Sequence, residues 1–129
     1  HKINNIEKIN KLRNKKAKKF ERLIKFKSFL SINHNIGSVY WRKNFLVNKK
    51  DSFELISYLN KRNIYARKYY PPLNMIFPSI RKKLNNCQKS YRKIINFWVG
   101  EETKLKDILK VKQIIQNYYN VNKTSTASS

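Results

Sequence analysis

The first part of the chain repeats apolar residues at the spacing of a helix. They recur every three residues from Ile3 to Leu12, the stripe continues from Ala17 to Ile24, and lysines fill the opposite face. The pattern predicts one amphipathic helix over residues 2–27. Such a helix, of more than about six turns, is long for a small domain, so we expect it to pack against something larger. The stripe consists of Ile3, Ile6, Ile9, Leu12, Ala17, Phe20, Leu23 and Ile24.

The middle of the chain changes from helical spacing to alternation. Residues 39–47 alternate between two faces, with Lys43 the only charge on the more apolar one, and this predicts a strand with one buried side. Asp51 opens a D-x-x-E helix start, and a short helix should end near Arg62. A second strand is predicted over residues 64–70. The two prolines that follow must end it, because proline cannot donate a ladder hydrogen bond.

The last part contains weaker elements. Residues 73–84 read as a loop with room for a helical turn, and residues 86–93 as a helix. Residues 94–99 form a short apolar run of strand type, and Thr103 can cap a final helix. Residues 1–119 are therefore predicted to form one α/β sandwich of the α+β kind. It should contain a small mixed sheet of about three strands covered by helices, followed by a disordered tail over 120–129.

Length and composition agree with a single folded domain. The chain has 129 residues, of which 40% are hydrophobic, so it can build a core. It has no apolar run of about 18 residues that would span a membrane, and no apolar leader after its first charges. Its one cysteine, Cys87, excludes an internal disulfide and a cysteine-based zinc site and favours a reducing, cytoplasmic location.

The net charge of the chain suggests binding partners that its length and hydrophobic content do not. Thirty basic and seven acidic residues give a formal net charge of +23, a field that attracts nucleic acid or an anionic surface. A second explanation is equally open. Lys, Asn, Ile and Tyr are abundant together and all have AT-rich codons, so a low-GC genome would produce the same bias without any binding function.

Complete catalytic machinery is missing from the sequence. The only histidines are His1 and His34, and the only adjacent acids, Glu101 and Glu102, rarely converge from one loop. No metal-ligand spacing, phosphate-binding loop, dinucleotide fingerprint or nucleophile elbow is present. We therefore predict no catalytic residue and no metal ligand in this chain, which does not read as a complete enzyme.

The densest chemical feature lies at the end of the second predicted strand. Arg67, Tyr69, Tyr70 and Asn74 surround the rigid Pro-Pro pair, which fixes the direction of the chain. Tyrosine hydroxyls beside cations suit sugar or phosphate groups. The alternative, favoured by composition alone, is that the two tyrosines only pack on opposite faces of the sheet.

The same region carries a family resemblance. The segment DSFELISYLNKRNIYARKYYPPLN, residues 51–74, resembles the C-terminal domain of DegT/StrS-type sugar aminotransferases, and its Tyr-Tyr-Pro-Pro-Leu string is the most specific part. Upstream, KINKLRNKKAKKFERLIKF resembles the long linking helix of the family. Downstream, CQKSYRKIINFWVGEETKLKDILKVKQII resembles its last helix, strand and helix, so the likeness covers residues 5–118.

The resemblance implies the small domain of a fold-type-I enzyme that uses pyridoxal phosphate on nucleotide-linked keto-sugars. The Schiff-base lysine and most cofactor contacts would lie in a larger preceding domain, so this chain alone should bind no cofactor. Arg67, Tyr69, Tyr70 and Asn74 would orient the substrate. The chain departs from the family at Asn74, where His is usual, and at Phe97 and Trp98, where Leu-Pro is usual.

Three functions remain open at this stage. The first is the aminotransferase domain or fragment, with a larger domain or a homodimer partner and a nucleotide-sugar ligand. The second is an inactive, strongly basic binding protein for nucleic acid or protein. The third is a structural subunit that docks through the apolar side of its first helix. None of the three involves a membrane.

Overall fold

The computed structural model describes residues 5–32, 37–68, 71–80 and 84–126. Within these ranges helices and strands follow one another along the chain, with β1 and the short α3 added to the predicted alternation. The elements are α1 (Ile6–Leu23), β1 (Leu30–Ser31), β2 (Arg42–Leu46), α2 (Lys49–Asn60), β3 (Ala66–Arg67), α3 (Leu73–Ile76), α4 (Asn85–Lys93), β4 (Ile94–Trp98) and α5 (Leu105–Thr126).

The four strands form one sheet in the order β1-β2-β4-β3, and every neighbouring pair is antiparallel. This confirms the predicted class, a small sheet covered by helices, and corrects two details. The sheet has four strands because β1 lies between the predicted helix over 2–27 and the predicted strand over 39–47, where no strand is predicted. It is not mixed, because β4 inserts between β2 and β3, which run in the same direction.

The core lies between the sheet and helices α1, α2 and α5. Phe97 on β4 stacks on Phe20 of α1 with ring centroids 5.4 Å apart, and Phe45 of β2 meets Phe97 edge-on at 6.0 Å. Strand alternation places these side chains on one face of the sheet. Further buried members are Ala17, Ile24, Leu55, Leu59, Ala66, Ile95, Val99, Ile108 and Ile115.

The apolar stripe of α1 divides into two parts. Ala17 and Phe20 enter the core, whereas Ile6 and Leu12 nearer the N-terminus stay 51% and 38% exposed. The helix ends at Leu23, earlier than predicted, because Ile24 leaves the helical conformation at φ −92° and ψ 71°. The first half of α1 therefore offers apolar side chains that the described part of the domain does not cover.

Helix α2 ends in a cap that aims the chain into β3. Asn63 adopts the left-handed conformation at φ 59°, and the N–H of Ile64 reaches back to the carbonyl of Leu59 at 3.0 Å. These are the features of a Schellman motif, in which Asn substitutes for the usual Gly. The helix begins at Lys49 rather than Asp51, and Glu54 accepts a hydrogen bond from Tyr118 instead of closing a capping box.

The remaining boundaries shift by a few residues. Strand β2 covers only the centre of the predicted 39–47, and β3 only two of the described residues 64–68, since 69–70 of the predicted strand lie outside the described residues. The helical turn allowed within 73–84 is confirmed as α3, and α4 and β4 lie where they are expected. Helix α5 continues to Thr126, past the predicted end of the folded part, while disorder of residues 120–129 in solution stays a prediction.

Candidate functional site

The end of β3 is held in place by two asparagine side chains. Asn60, the last residue of α2, donates to the carbonyl of Ala66 at 3.1 Å and accepts from its N–H at 3.2 Å. Asn96 on β4 donates to the carbonyl of Arg67 at 3.0 Å. Because β3 makes few ladder bonds of its own, these amides fix the direction in which the chain leaves the sheet.

Arg67 lies at this exit with its side chain exposed. Its guanidinium sits over the ring of Tyr65, 4.9 Å from the centroid, and makes no hydrogen bond or ion pair within the described residues. Tyr69 and Tyr70, the next two predicted site residues, fall outside the described residues. Their expected role in orienting a substrate stays a prediction.

Asn74 lies in α3, the short helix that Pro72 opens. Its side-chain oxygen is buried and has no hydrogen-bond partner in the described part of the chain. Arg67 ends β3 and Asn74 lies in α3, and no hydrogen bond joins their side chains. Around Asn74 the apolar side chains Leu73, Met75, Ile76 and Phe77 are each about half exposed.

Two site residues that the sequence reading missed lie in the centre of the sheet. Asn44 of β2 stands opposite Asn96 of β4 in the register, on the face turned away from α1, α2 and α5. Asn96 is fully buried, and the side-chain oxygens of both residues lack hydrogen-bond partners among the described residues. Such orphaned acceptors are rare in a finished core. The available signal was Asn96 itself, a polar residue inside an apolar run.

Lys68, beside Arg67, is anchored rather than free. Its ammonium donates to the carbonyl of Arg92, at the end of α4, at 2.9 Å and lies 3.5 Å from the centroid of the Phe53 ring. Burial, and then the positive charge of Arg92, lower the pKa of Lys68. Lys68 therefore joins β3 to α2 and α4, and its charge adds to that of Arg67 at the same edge.

Lys43 is the second lysine with a shifted pKa, and it points into the core, as the alternation predicts. Its side chain is fully buried, 3.5 Å from the carboxylate of Glu21, and donates to the carbonyl of Ile32 at 3.2 Å. Burial lowers the pKa of Lys43, and the charge of Glu21 opposes that shift. A fully enclosed ammonium with these partners serves the packing of α1 on the sheet.

A separate groove of about 320 Å³ lies where α5 meets the ends of β3 and β4. Tyr65, Trp98, Glu102 and Asp107 are among the residues that line it. Neither Arg67 nor Asn74, the two predicted site residues that the structure describes, is among them.

Neither of the two lysines with a lowered pKa is placed to hold pyridoxal phosphate. The cofactor needs a lysine with access to its aldehyde and a carboxylate for its pyridine nitrogen. Of the two lysines with lowered pKa, Lys43 is enclosed and Lys68 is bonded to a carbonyl. The carboxylate of Glu21 is already engaged with Lys43 and Ser31. The cofactor of the resembling enzymes would have to be held by residues elsewhere.

Metal ligands and membrane-spanning helices were also sought among the described residues. Within the described ranges, no three His, Cys, Asp or Glu side chains gather as metal ligands. Among the described helices, none has the length and apolar character needed to cross a membrane.

Comparison of sequences gives no relative, since neither a family model nor a curated protein matches this chain. Solved structures do match. The chain superimposes on an aminotransferase, TlmJ, from Streptoalloteichus hindustanus with a TM-score of 0.81 at 10% identity, over 92% of this chain and 34% of that one. It superimposes on Helicobacter pylori PseC, an aminotransferase involved in the biosynthesis of pseudoaminic acid, with a TM-score of 0.78 at 16% identity, over 92% and 35%.

A DegT/StrS aminotransferase from Brucella abortus gives a TM-score of 0.74 at 16% identity, over 91% of this chain and 33% of that one. This chain has the fold of about one third of an aminotransferase. At these identities the likeness shows the fold alone, and the chain spans about a third of the length of the proteins it matches. The resemblance read from the sequence therefore holds at the level of the fold.

Proposed function

We propose that this chain is the C-terminal small domain, or a fragment containing it, of a DegT/StrS-type sugar-nucleotide aminotransferase. The observation that carries the proposal is the superposition of nearly the whole chain on a third of such enzymes, joined to the Tyr-Tyr-Pro-Pro-Leu motif at the end of β3. Pyridoxal phosphate and its Schiff-base lysine would belong to a larger domain, which supplies the chemistry of amino transfer.

In this proposal the residues after β3 bind and orient the substrate. Arg67 is exposed and permanently charged, and its planar donors suit the diphosphate of a nucleotide-sugar. The hydroxyls of Tyr69 and Tyr70 and the amide of Asn74 can hydrogen-bond sugar hydroxyls. None of these residues is assigned a proton-transfer step. The first experiment below asks whether the larger domain lies in the same polypeptide or in a homodimer partner.

Uncovered apolar surface supports the proposal. Ile6 and Leu12 on α1, together with Met75 and Phe77 in and after α3, are 38–55% exposed. A missing neighbour leaves such surface behind. The cytoplasmic location favoured by the single cysteine stays a prediction, which fractionation of the source cells would test.

The first experiment is the size of the native polypeptide, measured by immunoblot of the source cells with an antibody against this chain. We expect a band about three times heavier than this chain, since it spans about 34% of a matching enzyme. A band at the size of the chain alone would argue against the proposal in its one-polypeptide form and direct the search to a separate partner subunit.

The second experiment measures the substrate role in the full-length parent. We expect Arg67→Gln to lower kcat/KM by roughly 10- to 100-fold, because a charge-assisted contact to phosphate is lost, while the absorbance of the bound cofactor is unchanged. Arg62→Gln is the matched control, since Arg62 is an exposed arginine whose contacts, over the ring of Tyr58 and to its carbonyl at 3.1 Å, stay within α2 and its C-terminal turn. Equal losses in the two variants would count against the role of Arg67.

A further inference from the structure

Helix α1 carries a continuous stripe of basic side chains along its solvent-facing side. The stripe, which we call the basic ridge, is made of Lys8, Lys11, Lys15, Lys18 and Arg22. Spacings of three and four residues alternate, so all five lie on one face of the helix, and all five are exposed. At 1.5 Å per residue the ridge is about 21 Å long, with a positive charge about every 5 Å.

The charges of the basic ridge are not used inside the domain. None of its five side chains forms a hydrogen bond or an ion pair within the described residues. Lys16, on the flank of the ridge, shows the contrast, since it donates to the carbonyls of Gly100 and Glu101 at 2.6 Å each. A partner could therefore contact the ridge without breaking an internal ion pair.

Codon bias alone does not explain the arrangement. A bias toward AT-rich codons raises Lys and Asn together, so it should mix them on every exposed surface. On α1 the two asparagines, Asn10 and Asn14, lie on half-buried flanks and the exposed stripe is entirely basic. Helix α5 has exposed lysines at Lys106 and Lys110 in its first half, whereas its exposed positions from Gln113 to Asn120 are amides. They are Gln113, Gln116, Asn117 and Asn120.

We propose that the basic ridge binds the phosphate backbone of a nucleic-acid duplex without reading its bases. Four of its five residues are lysines, which bind phosphate as point charges and lack the bidentate fork that reads guanine. An α-helix fits the width of the DNA major groove, and its charges would lie near the phosphates that border it. The inference does not depend on the proposed aminotransferase function.

Two other kinds of partner fit the ridge less well. A helix that enters a bilayer needs a free apolar face, whereas Ala17 and Phe20 of α1 are packed in the core. A tight protein interface needs apolar or aromatic anchors at its centre, and the ridge has none. Phosphates, which are recognised by charge alone, remain the best match to an unbroken line of cations.

The test is the salt dependence of binding to a labelled DNA duplex of about 25 base pairs, measured by fluorescence anisotropy on the whole chain. Five phosphate contacts predict a slope of log K against log salt of roughly −4 to −5, a loss of several hundred-fold between 50 and 200 mM salt. A slope near zero would overturn the proposal. A second duplex of unrelated sequence should bind within about twofold, and a strong preference would contradict backbone binding.

Charge-matched variants separate the ridge from net charge. The ridge variant carries Lys11→Gln, Lys15→Gln, Lys18→Gln and Arg22→Gln, and the control carries Lys61→Gln, Lys89→Gln, Lys106→Gln and Lys110→Gln at exposed positions elsewhere. Glutamine keeps helix propensity, and circular dichroism checks that both variants fold.

In the ridge variant, the slope of log K against log salt should fall in magnitude by about 3 to 4. In the control variant it should fall by less than about 1. Equal losses would show that net charge alone binds DNA. Vesicles of an anionic phospholipid, matched in charge, should compete poorly with the duplex, and equal competition would likewise overturn the proposal.

Discussion

The two faces of the sheet differ in whether their buried polar side chains have hydrogen-bond partners. On the side of the helices, the ammonium of Lys43 is fully buried, yet it has both the carboxylate of Glu21 and the carbonyl of Ile32 as partners. On the other face, the side-chain oxygens of Asn44 and Asn96 are buried without partners among the described residues. The buried charge on the helix side therefore has bonding partners, whereas the neutral acceptors on the other face have none among the described residues.

This difference indicates which side of the domain is complete by itself. Rings and aliphatic side chains fill the space between the sheet and α1, α2 and α5, so the core on that side is complete, although Ile6 and Leu12 at the start of α1 stay exposed. The opposite face carries the orphaned amides and lies next to Arg67 at the β3 exit. Both oxygens are already enclosed by this chain, so they mark the face of the sheet on which hydrogen bonding is least complete among the described residues.

The largest effect should follow from breaking the complete side. Phe97→Ala removes a ring that is 1% exposed and touches both Phe20 and Phe45. We expect the free energy of unfolding to fall by about 3–5 kcal/mol, a large part of the stability of a small domain, in denaturant titrations of the whole chain.

A milder substitution keeps this test interpretable if the alanine variant fails to fold. Phe97→Leu retains most of the buried volume and should cost about 1–2 kcal/mol. If both variants were as stable as the unaltered chain, the aromatic cluster between sheet and helices would not be the centre of the core.

The sequence predicted the complete side better than the other. Alternation over residues 39–47 placed Lys43 and Phe45 on the buried face, and helical spacing placed Phe20 in the core, because a single period fixes which side chains share a face. The same information could not reveal that Glu21 would meet Lys43. That contact depends on how α1 packs across the sheet, which no local pattern specifies.

The candidate site was predicted only in part. The Pro-Pro pair marked where the strand ends, and the resemblance pointed to Arg67 and Asn74. The pairing of Asn44 with Asn96 is a matter of register between strands about fifty residues apart, so it became visible only once β4 was seen between β2 and β3. Strand β1 was missed because two residues are too few to show a period.

A substitution on the other face of the sheet, the one that carries Asn44 and Asn96, should have a smaller effect on stability. Asn96→Leu removes the orphaned oxygen and also the hydrogen bond to the carbonyl of Arg67. Because these two changes oppose each other, we expect the free energy of unfolding to change by less than about 1 kcal/mol in the same titration. In a full-length parent, kcat/KM should fall by about tenfold, since Arg67 loses its support.

Comparison of Asn96→Leu with Phe97→Ala shows whether Asn96 stabilises the core or supports the candidate site. A loss of about 3 kcal/mol or more in Asn96→Leu would mean that the amide belongs to the core and that both faces are built for stability. Unchanged kinetics together with unchanged stability would remove Asn96 from the candidate site.

The smallest expected effect is a change in how stability depends on pH, which tests the buried charge of Lys43. Burial lowers the pKa of Lys43 below its ordinary value of 10.5. Between the lowered value and 10.5 the unfolded chain binds more protons than the folded one, so the free energy of unfolding contributed by Lys43 rises with pH through that window. Lys43→Met should abolish this rise, because methionine fills a similar volume without a charge.

The contribution of Lys43 is measured as the difference between the unaltered chain and Lys43→Met, by denaturant unfolding at several alkaline pH values. Burial raises the pKa of Tyr40, which acts with the opposite sign, and Lys68 acts with the same sign, but both are present in each protein and largely cancel. A difference that falls with pH would mean that Glu21 and the carbonyl of Ile32 stabilise the ammonium more than burial disfavours it. In that case the helix side of the sheet would be built around an ion pair that strengthens the fold, rather than around a charge that the core merely accommodates.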